Sequence, residues 1–305
     1  MITLDNGQIS ISVKDHGAEL SSIKHNSREY LWQADPEFWA RHSPVLFPIV
    51  GNVWQKQYRS QGKVFNLGQH GFARDMDFTF LSKTDNEVWF KLESDAATLE
   101  KFPYSFRLEL GYRLVENSVE VLWKVVNTNN GPMSFQIGAH PAFHWPLLSN
   151  DAIAAGTQAM KEELKKGSER GWFKFDASGI LSKSVIGEGG CIDPSLQKDV
   201  QVDEGGFLPL DLDSFSKDAL VFENGQVHSV TLCSQDKTPY LTLTFDAPVI
   251  GLWSSPGKNA PFVCIEPWYG RTDDMNYLGE FEDRKWIQKL EEGEEFNSKY
   301  TITIH

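Results

Sequence analysis

The sequence predicts an all-β protein built as one large antiparallel sandwich. Three observations carry that reading. Apolar and polar residues alternate with a period of two from one end of the chain to the other, turn-forming residues punctuate the alternating runs, and helical periodicity is scarce. A length of 305 residues would allow two domains of about 150 residues, but all-β units run to roughly 250 residues as one. The alternation keeps the same character throughout and neither half makes a self-sufficient sheet. A single domain over residues 1–305 is therefore expected.

Taken in order, Asn6-Gly7 marks a turn before the first clear run, Ile9-Ser10-Ile11-Ser12-Val13. Asn and Gly tolerate the positive φ that tight hairpins require. Residues 87–93, then Phe106-Arg107-Leu108-Glu109-Leu110 and Val119-Glu120-Val121-Leu122-Trp123-Lys124-Val125, place β-branched and aromatic residues on one face and mostly charged ones on the other. Asn129-Asn130-Gly131-Pro132 closes this group, and such short connections imply antiparallel neighbours. Residues 146–203 depart from the pattern: they are polar and rich in Gly, Ser and Lys, and read as an excursion from the sheet carrying small local elements. Within them, 151–166 is the best helical stretch, with Ile153, Met160 and Leu164 on one weak apolar stripe and Gly156 weakening it. After Asn224-Gly225 the alternation resumes at 228–232, 240–245, 249–253 and 299–304.

Composition narrows the function. The 29 Lys and Arg against 42 Asp and Glu give a net charge of -13, and no basic run is present to displace counterions from a nucleic acid or an anionic membrane. No apolar run approaches the ~20 residues of a membrane span, and residues 1–15 lack the pattern of a signal peptide. A cytoplasmic protein with a small-molecule partner is expected, as a monomer or a dimer. Cys191, Cys233 and Cys264 are widely spaced and form no Cys-x-x-Cys motif, which points to reduced, partly buried thiols.

Ten Trp, eight Tyr and twenty Phe are present, and several stand beside polar residues in turn-like contexts. Aromatic faces bind the apolar faces of sugar rings, although a large β core also takes bulky side chains. The stretches that combine both are Phe38-Trp39-Ala40-Arg41-His42, His70-Gly71-Phe72-Ala73-Arg74, His140-Pro141-Ala142-Phe143 and Cys264-Ile265-Glu266-Pro267-Trp268. No metal is expected from the spacing. His140 and His144 would share a helical face, but Pro141 and Pro146 oppose a helix, and an extended strand would hold the pair about 13 Å apart. Gly-x-Ser-x-Gly and phosphate-cradling glycine loops are absent, so neither a serine nucleophile nor a nucleotide cofactor is indicated.

The segments His70-Gly71-Phe72-Ala73-Arg74, Phe135-Gln136-Ile137-Gly138-Ala139-His140-Pro141-Ala142-Phe143 and Ile265-Glu266-Pro267-Trp268, in this order and spacing, resemble the aldose 1-epimerase family, and within it the LacX-like branch. Gly17 to Ile23 and the close from Trp286 to Ile304 are similar to the family's ends, so the resemblance spans essentially the whole chain. It implies a galactose mutarotase-like β-supersandwich that interconverts the α and β anomers of free hexoses without metal or organic cofactor. By position it implies Glu266 as the base, His140 as the acid, and His70 as the histidine that binds the sugar. Asp218, Arg41 and Arg74 match sugar-contacting positions, whereas Arg271, near Glu266 in the sequence, reads as no more than a salt-bridge partner.

At ordinary pKa values near 4.3 for Glu and 6.5 for His, Glu266 would be ionised without tuning, while His140 would need a nearby carboxylate to stay protonated. The family's phosphate-specific members carry Arg-Gly-Gly where this chain reads Arg41-His42-Ser43. Two alternatives stay open at this level: a hexose-6-phosphate 1-epimerase, and a non-catalytic carbohydrate-binding or sensing module on the same scaffold.

Overall fold

Two large sheets share one hydrophobic core in the computed structural model, which describes residues 1–165, 170–209 and 212–305. Among the described residues one sheet has nine strands and the other eight, and the ladders within them are antiparallel. The nine-stranded sheet runs from Phe207–Pro209 at one edge, through Glu295–Ile304 at its centre, to Thr79–Lys83 at the other. The eight-stranded sheet runs from Ile192–Val202 through Gly179–Ile186, Leu220–Phe222, Val249–Trp253 and Phe262–Tyr269 to Ile137–Ala139 and Val45–Leu46, with Ala142–His144 also on Phe262–Tyr269.

The period-two runs become strands because one face of each meets the core. In Ser118–Asn127 the side chains of Val119, Val121, Trp123 and Val125 are buried while Glu120 and Lys124 reach solvent. In Phe106–Val115 the buried face carries Phe106, Leu108, Leu110, Tyr112 and Leu114. Each such aliphatic or aromatic side chain contributes roughly 1.5–3 kcal/mol on burial, and a slip of one residue would expose the whole set. Ile9, Ile11 and Val13 follow the same rule in a separate four-stranded sheet that packs into the same core.

Residues 146–203 depart from the expected excursion. They extend both large sheets: Trp172–Phe175 joins the nine-stranded one, and Gly179–Ile186 with Ile192–Val202 forms the outer hairpin of the eight-stranded one. Their polar composition has a simple cause. Ile192–Val202 is an edge strand exposed from Pro194 to Asp199, so nothing imposes alternation on it, and its proline and charges blunt the free edge. The helical stripe is present but divided. Gly156 adopts φ +86° and ends Asn150–Ala155, its N–H closing on the Ala152 and Ile153 carbonyls, and Thr157–Lys165 follows. Met160 and Leu164 are buried, and Ile153 packs beside them, in a cluster with Trp32, Phe38 and Phe262. Lys166, the last residue of the expected stripe, lies outside the described residues.

Among the described residues no helix is long and apolar enough to cross a membrane. Cys191, Cys233 and Cys264 are free thiols, all buried.

Candidate active site

Strand register builds the centre of the site. Ile137–Ala139 and Ala142–His144 both pair with Phe262–Tyr269, Gly138 opposite Trp268 and Ala142 opposite Cys264. Carrying that one register across the interruption at His140 and Pro141 sets His140 opposite Glu266. Cross-strand partners have Cβ atoms about 4.5–5.5 Å apart, close enough for side chains to meet. They do meet: His140 Nε2 lies 3.3 Å from Glu266 Oε2, with Glu266 1% and His140 8% exposed. Pro141 leaves the ladder without its own N–H, and its carbonyl accepts from Ile265 while the His140 N–H donates to Pro44. Two indoles hold the imidazole in place. Trp39 stacks on it at 4.8 Å between centroids and 27° between planes, and Trp253 meets it edge-on at 5.5 Å.

Both groups line a cavity of about 310 Å³, together with His70, Arg74, Asp218, Trp39, Trp253 and Trp268. His70 sits at φ +63° immediately before Gly71. Gly71 has φ +71°, and a Cβ there would lie 2.2 Å from the Phe47 carbonyl oxygen, so only glycine lets the chain pass this close. The turn aims the His70 ring into the cavity, and the Gly51 N–H donates to its Nδ1 at 3.1 Å. The neutral ring therefore carries its proton on Nε2. The His70 and His140 rings meet edge-on at 5.6 Å.

Arg74 donates from Nη2 to the Gln69 carbonyl at 2.9 Å, while its Nε is buried without a hydrogen-bond partner. Arg41 does not line the cavity; its Nη2 bonds Asp75 Oδ1 at 2.8 Å. Asp218 lies on the cavity wall, half-buried, and accepts from the Ala219 N–H at 2.8 Å. Arg271 is spent on structure: it donates to Glu223 at 3.0 Å, to Asp274 at 2.8 Å and to the Thr272 carbonyl at 2.6 Å. His42 is tied to Glu19, which accepts from its backbone N–H at 2.9 Å, and His144 is fully buried among core residues.

Burial acts against the protonation expected from ordinary pKa values. It pushes the Glu266 carboxyl well above its usual range, and the negative charge of Asp218 adds to the effect. It pulls His140 down to about 3, helped by the positive charges of Arg74 and Arg41. His70 is held well below its ordinary value by burial and then by His140 and the two arginines. Arg74 itself falls to about 10 through burial and its neighbour Arg41. Both shifts act in the same sense, against a Glu266 carboxylate and against a His140 imidazolium.

The aldose 1-epimerase family model matches residues 1–303. The chain belongs to the aldose 1-epimerase family. It is 32% identical to the protein LacX (chromosomal) of Lactococcus lactis subsp. lactis, with 99% of each chain covered. Among solved structures it is similar to a galactose mutarotase related enzyme of Lactobacillus acidophilus, at 31% identity and a TM-score of 0.88 over 100% of this chain and 97% of the other. A galactose mutarotase-like protein of Lactobacillus casei ATCC 334 superposes with a TM-score of 0.85 at 29% identity, covering 100% of both chains. The all-β supersandwich is the fold of this family. Membership supports a sugar epimerase or mutarotase role, hence an isomerase acting on a small sugar.

Of the residues singled out from the sequence, His140, Glu266, His70, Arg74 and Asp218 come together, and Arg41 stands outside the cavity, paired with Asp75. Sequence reasoning missed Asn52, Gln69 and Trp253, which also line it. Trp253 ends a strand whose alternation reads as core, and Asn52 and Gln69 stand in connections without a distinguishing pattern.

Proposed function

We propose that this protein is an aldose 1-epimerase that opens and recloses a free hexose by general acid–base catalysis, with no metal or organic cofactor in the reaction. The observation that carries the reading is the buried His140 and Glu266 pair, 3.3 Å apart, on the wall of a sugar-sized cavity that also presents indoles and polar side chains. The base takes the proton of the anomeric hydroxyl O1 while the acid gives one to the ring oxygen O5. The C1–O5 bond breaks, C1 becomes an aldehyde, the C1–C2 bond rotates, and reclosure from the other face returns both protons.

The proton count agrees with this cycle. A proton on Glu266 beside neutral His140, and a Glu266 carboxylate beside protonated His140, are the same state with one proton shifted between two atoms. A sugar favours the second arrangement, because O1–H donates to the carboxylate and O5 accepts from the imidazolium. Glu266 is then the base and His140 the acid without exchange with solvent. His70 offers an Nε2–H donor, Asp218 an acceptor and Arg74 a guanidinium for the sugar's hydroxyls, and the indoles cover its apolar face.

The test is magnetisation exchange between α and β anomers by NMR with glucose, galactose and glucose 6-phosphate, comparing the wild type with His140→Asn. Exchange above buffer that His140→Asn lowers by about 10²–10⁴-fold supports the assignment. Exchange confined to glucose 6-phosphate would move the substrate to a hexose phosphate. Sugar binding without exchange would make the protein a carbohydrate-binding module.

A further inference from the structure

The strand that carries Glu266 also carries Cys264, two residues earlier and therefore on the same face. With His140 on the neighbouring strand, this brings one nitrogen, one sulfur and one oxygen within 4.8 Å of one another, and among the described residues no other group of three His, Cys, Asp or Glu side chains comes so close. All three are at least nine-tenths buried, and Glu266 Oε2, which faces His140 Nε2 at 3.3 Å, has no hydrogen-bond partner. Buried polar atoms left in this condition are rare and costly, and a cation is one way to satisfy them.

We propose that His140, Cys264 and Glu266 form an inhibitory binding site for Zn²⁺, with the sugar cavity supplying the entry path and the fourth position. The donor set is one that zinc takes readily, at about 2.0–2.1 Å for nitrogen, 2.0–2.2 Å for oxygen and 2.3 Å for sulfur. Tetrahedral geometry at those lengths separates ligand atoms by about 3.3–3.8 Å, so the His140 to Glu266 spacing of 3.3 Å already fits. Closing Cys264 onto the ion takes a side-chain movement of about 1 Å. The negative charge of Asp218, close enough to act on Glu266, favours a cation, whereas the positive charges of Arg74 and Arg41, which act on His140, oppose it. On binding, the thiol proton and any proton on Glu266 leave to solvent. The ion then holds the lone pairs that the proton transfers use, and anomer exchange stops.

This inference rests on the mutarotase reading for its effect on activity, but the ion site can be tested apart from it. Metal-free, fully reduced protein is titrated with Co²⁺ and watched for thiolate-to-cobalt charge-transfer absorption, and anomer exchange is measured in parallel against buffered Zn²⁺. Cys264 does not line the cavity, so Cys264→Ser should keep the basal exchange, with Cys264→Ala as a second choice should the serine variant fail to fold. Wild type should show the band and lose exchange to zinc, with a chelator restoring it. The Cys264 variant should lose the band and need more than about tenfold more zinc, given that even an outer-shell partner is worth about 10–100-fold in metal affinity. Cys191→Ser and Cys233→Ser should keep the band. No band in the wild type, or equal zinc inhibition in wild type and variant, overturns the proposal. If exchange is absent without zinc, the mutarotase reading fails, while the cobalt band still decides the metal site.

Discussion

Replacing Glu266 by Gln separates what the carboxyl does for catalysis from what it costs the fold. The amide has the carboxyl's shape and fits the same space opposite His140, but it neither takes nor gives a proton. A positioned acid or base contributes about 10²–10⁴-fold, which at about 1.36 kcal/mol per tenfold is roughly 3–5 kcal/mol of barrier. Stability should move the other way. Burial and the charge of Asp218 raise the folded-state pKa of Glu266 well above its ordinary value. A group with a raised folded pKa supports the fold fully below its unfolded value of about 4.3, and that support is lost as pH climbs through the folded pKa. Gln has no such dependence. The Tm of Glu266→Gln minus that of wild type should therefore become more positive from pH 4 upward and level off once wild-type Glu266 ionises. Thermal unfolding at stepped pH, with NMR exchange on the same samples, measures both effects. A Tm difference that is flat or falls with rising pH, or exchange equal to wild type, refutes the reasoning.

Other consequences follow from the same site. The wild-type pH profile of kcat/KM should keep its acid limb well below the ordinary imidazole value of about 6.5, because burial pulls His140 to about 3; an acid limb at or above that value would contradict the buried pair. Asp218→Asn removes the charge that, after burial, holds Glu266 up, so the alkaline limb should shift to lower pH, and an unmoved limb would uncouple Asp218 from the pair. Gly71→Ala puts a Cβ 2.2 Å from the Phe47 carbonyl oxygen at φ +71°. It should cost at least about 1–3 kcal/mol, visible as a lowered Tm, and an unchanged Tm would mean that the turn before Phe72 relaxes freely.

Elements with one wet and one dry face were legible from sequence. Phe106–Val115 and Ser118–Asn127 alternate because each residue's side is set by the pleat, and burial follows that side. Ile192–Val202 was not legible, since an edge strand with solvent along its middle has no face to mark. Gly156 signalled a weak helix, and the structure shows that it divides one. At the site, the motif positions pointed to His140, Glu266 and His70, but nothing in the neighbourhood of Trp253 or Cys264 distinguished a cavity wall or a third ligand from ordinary core.

By itself, the sequence determined the strand pattern, the acidic composition without a basic run, and the chemical types available at a few turn-flanked positions, because each can be read from residues along the chain. Tertiary structure alone decided which of those side chains meet and how far each is removed from water. The register across the break at His140 and Pro141 set His140 opposite Glu266 and Cys264 beside them. Burial then raised the Glu266 pKa and lowered that of His140. Both outcomes rest on strand pairing between distant segments and on the loss of water around a charge, which no local pattern records.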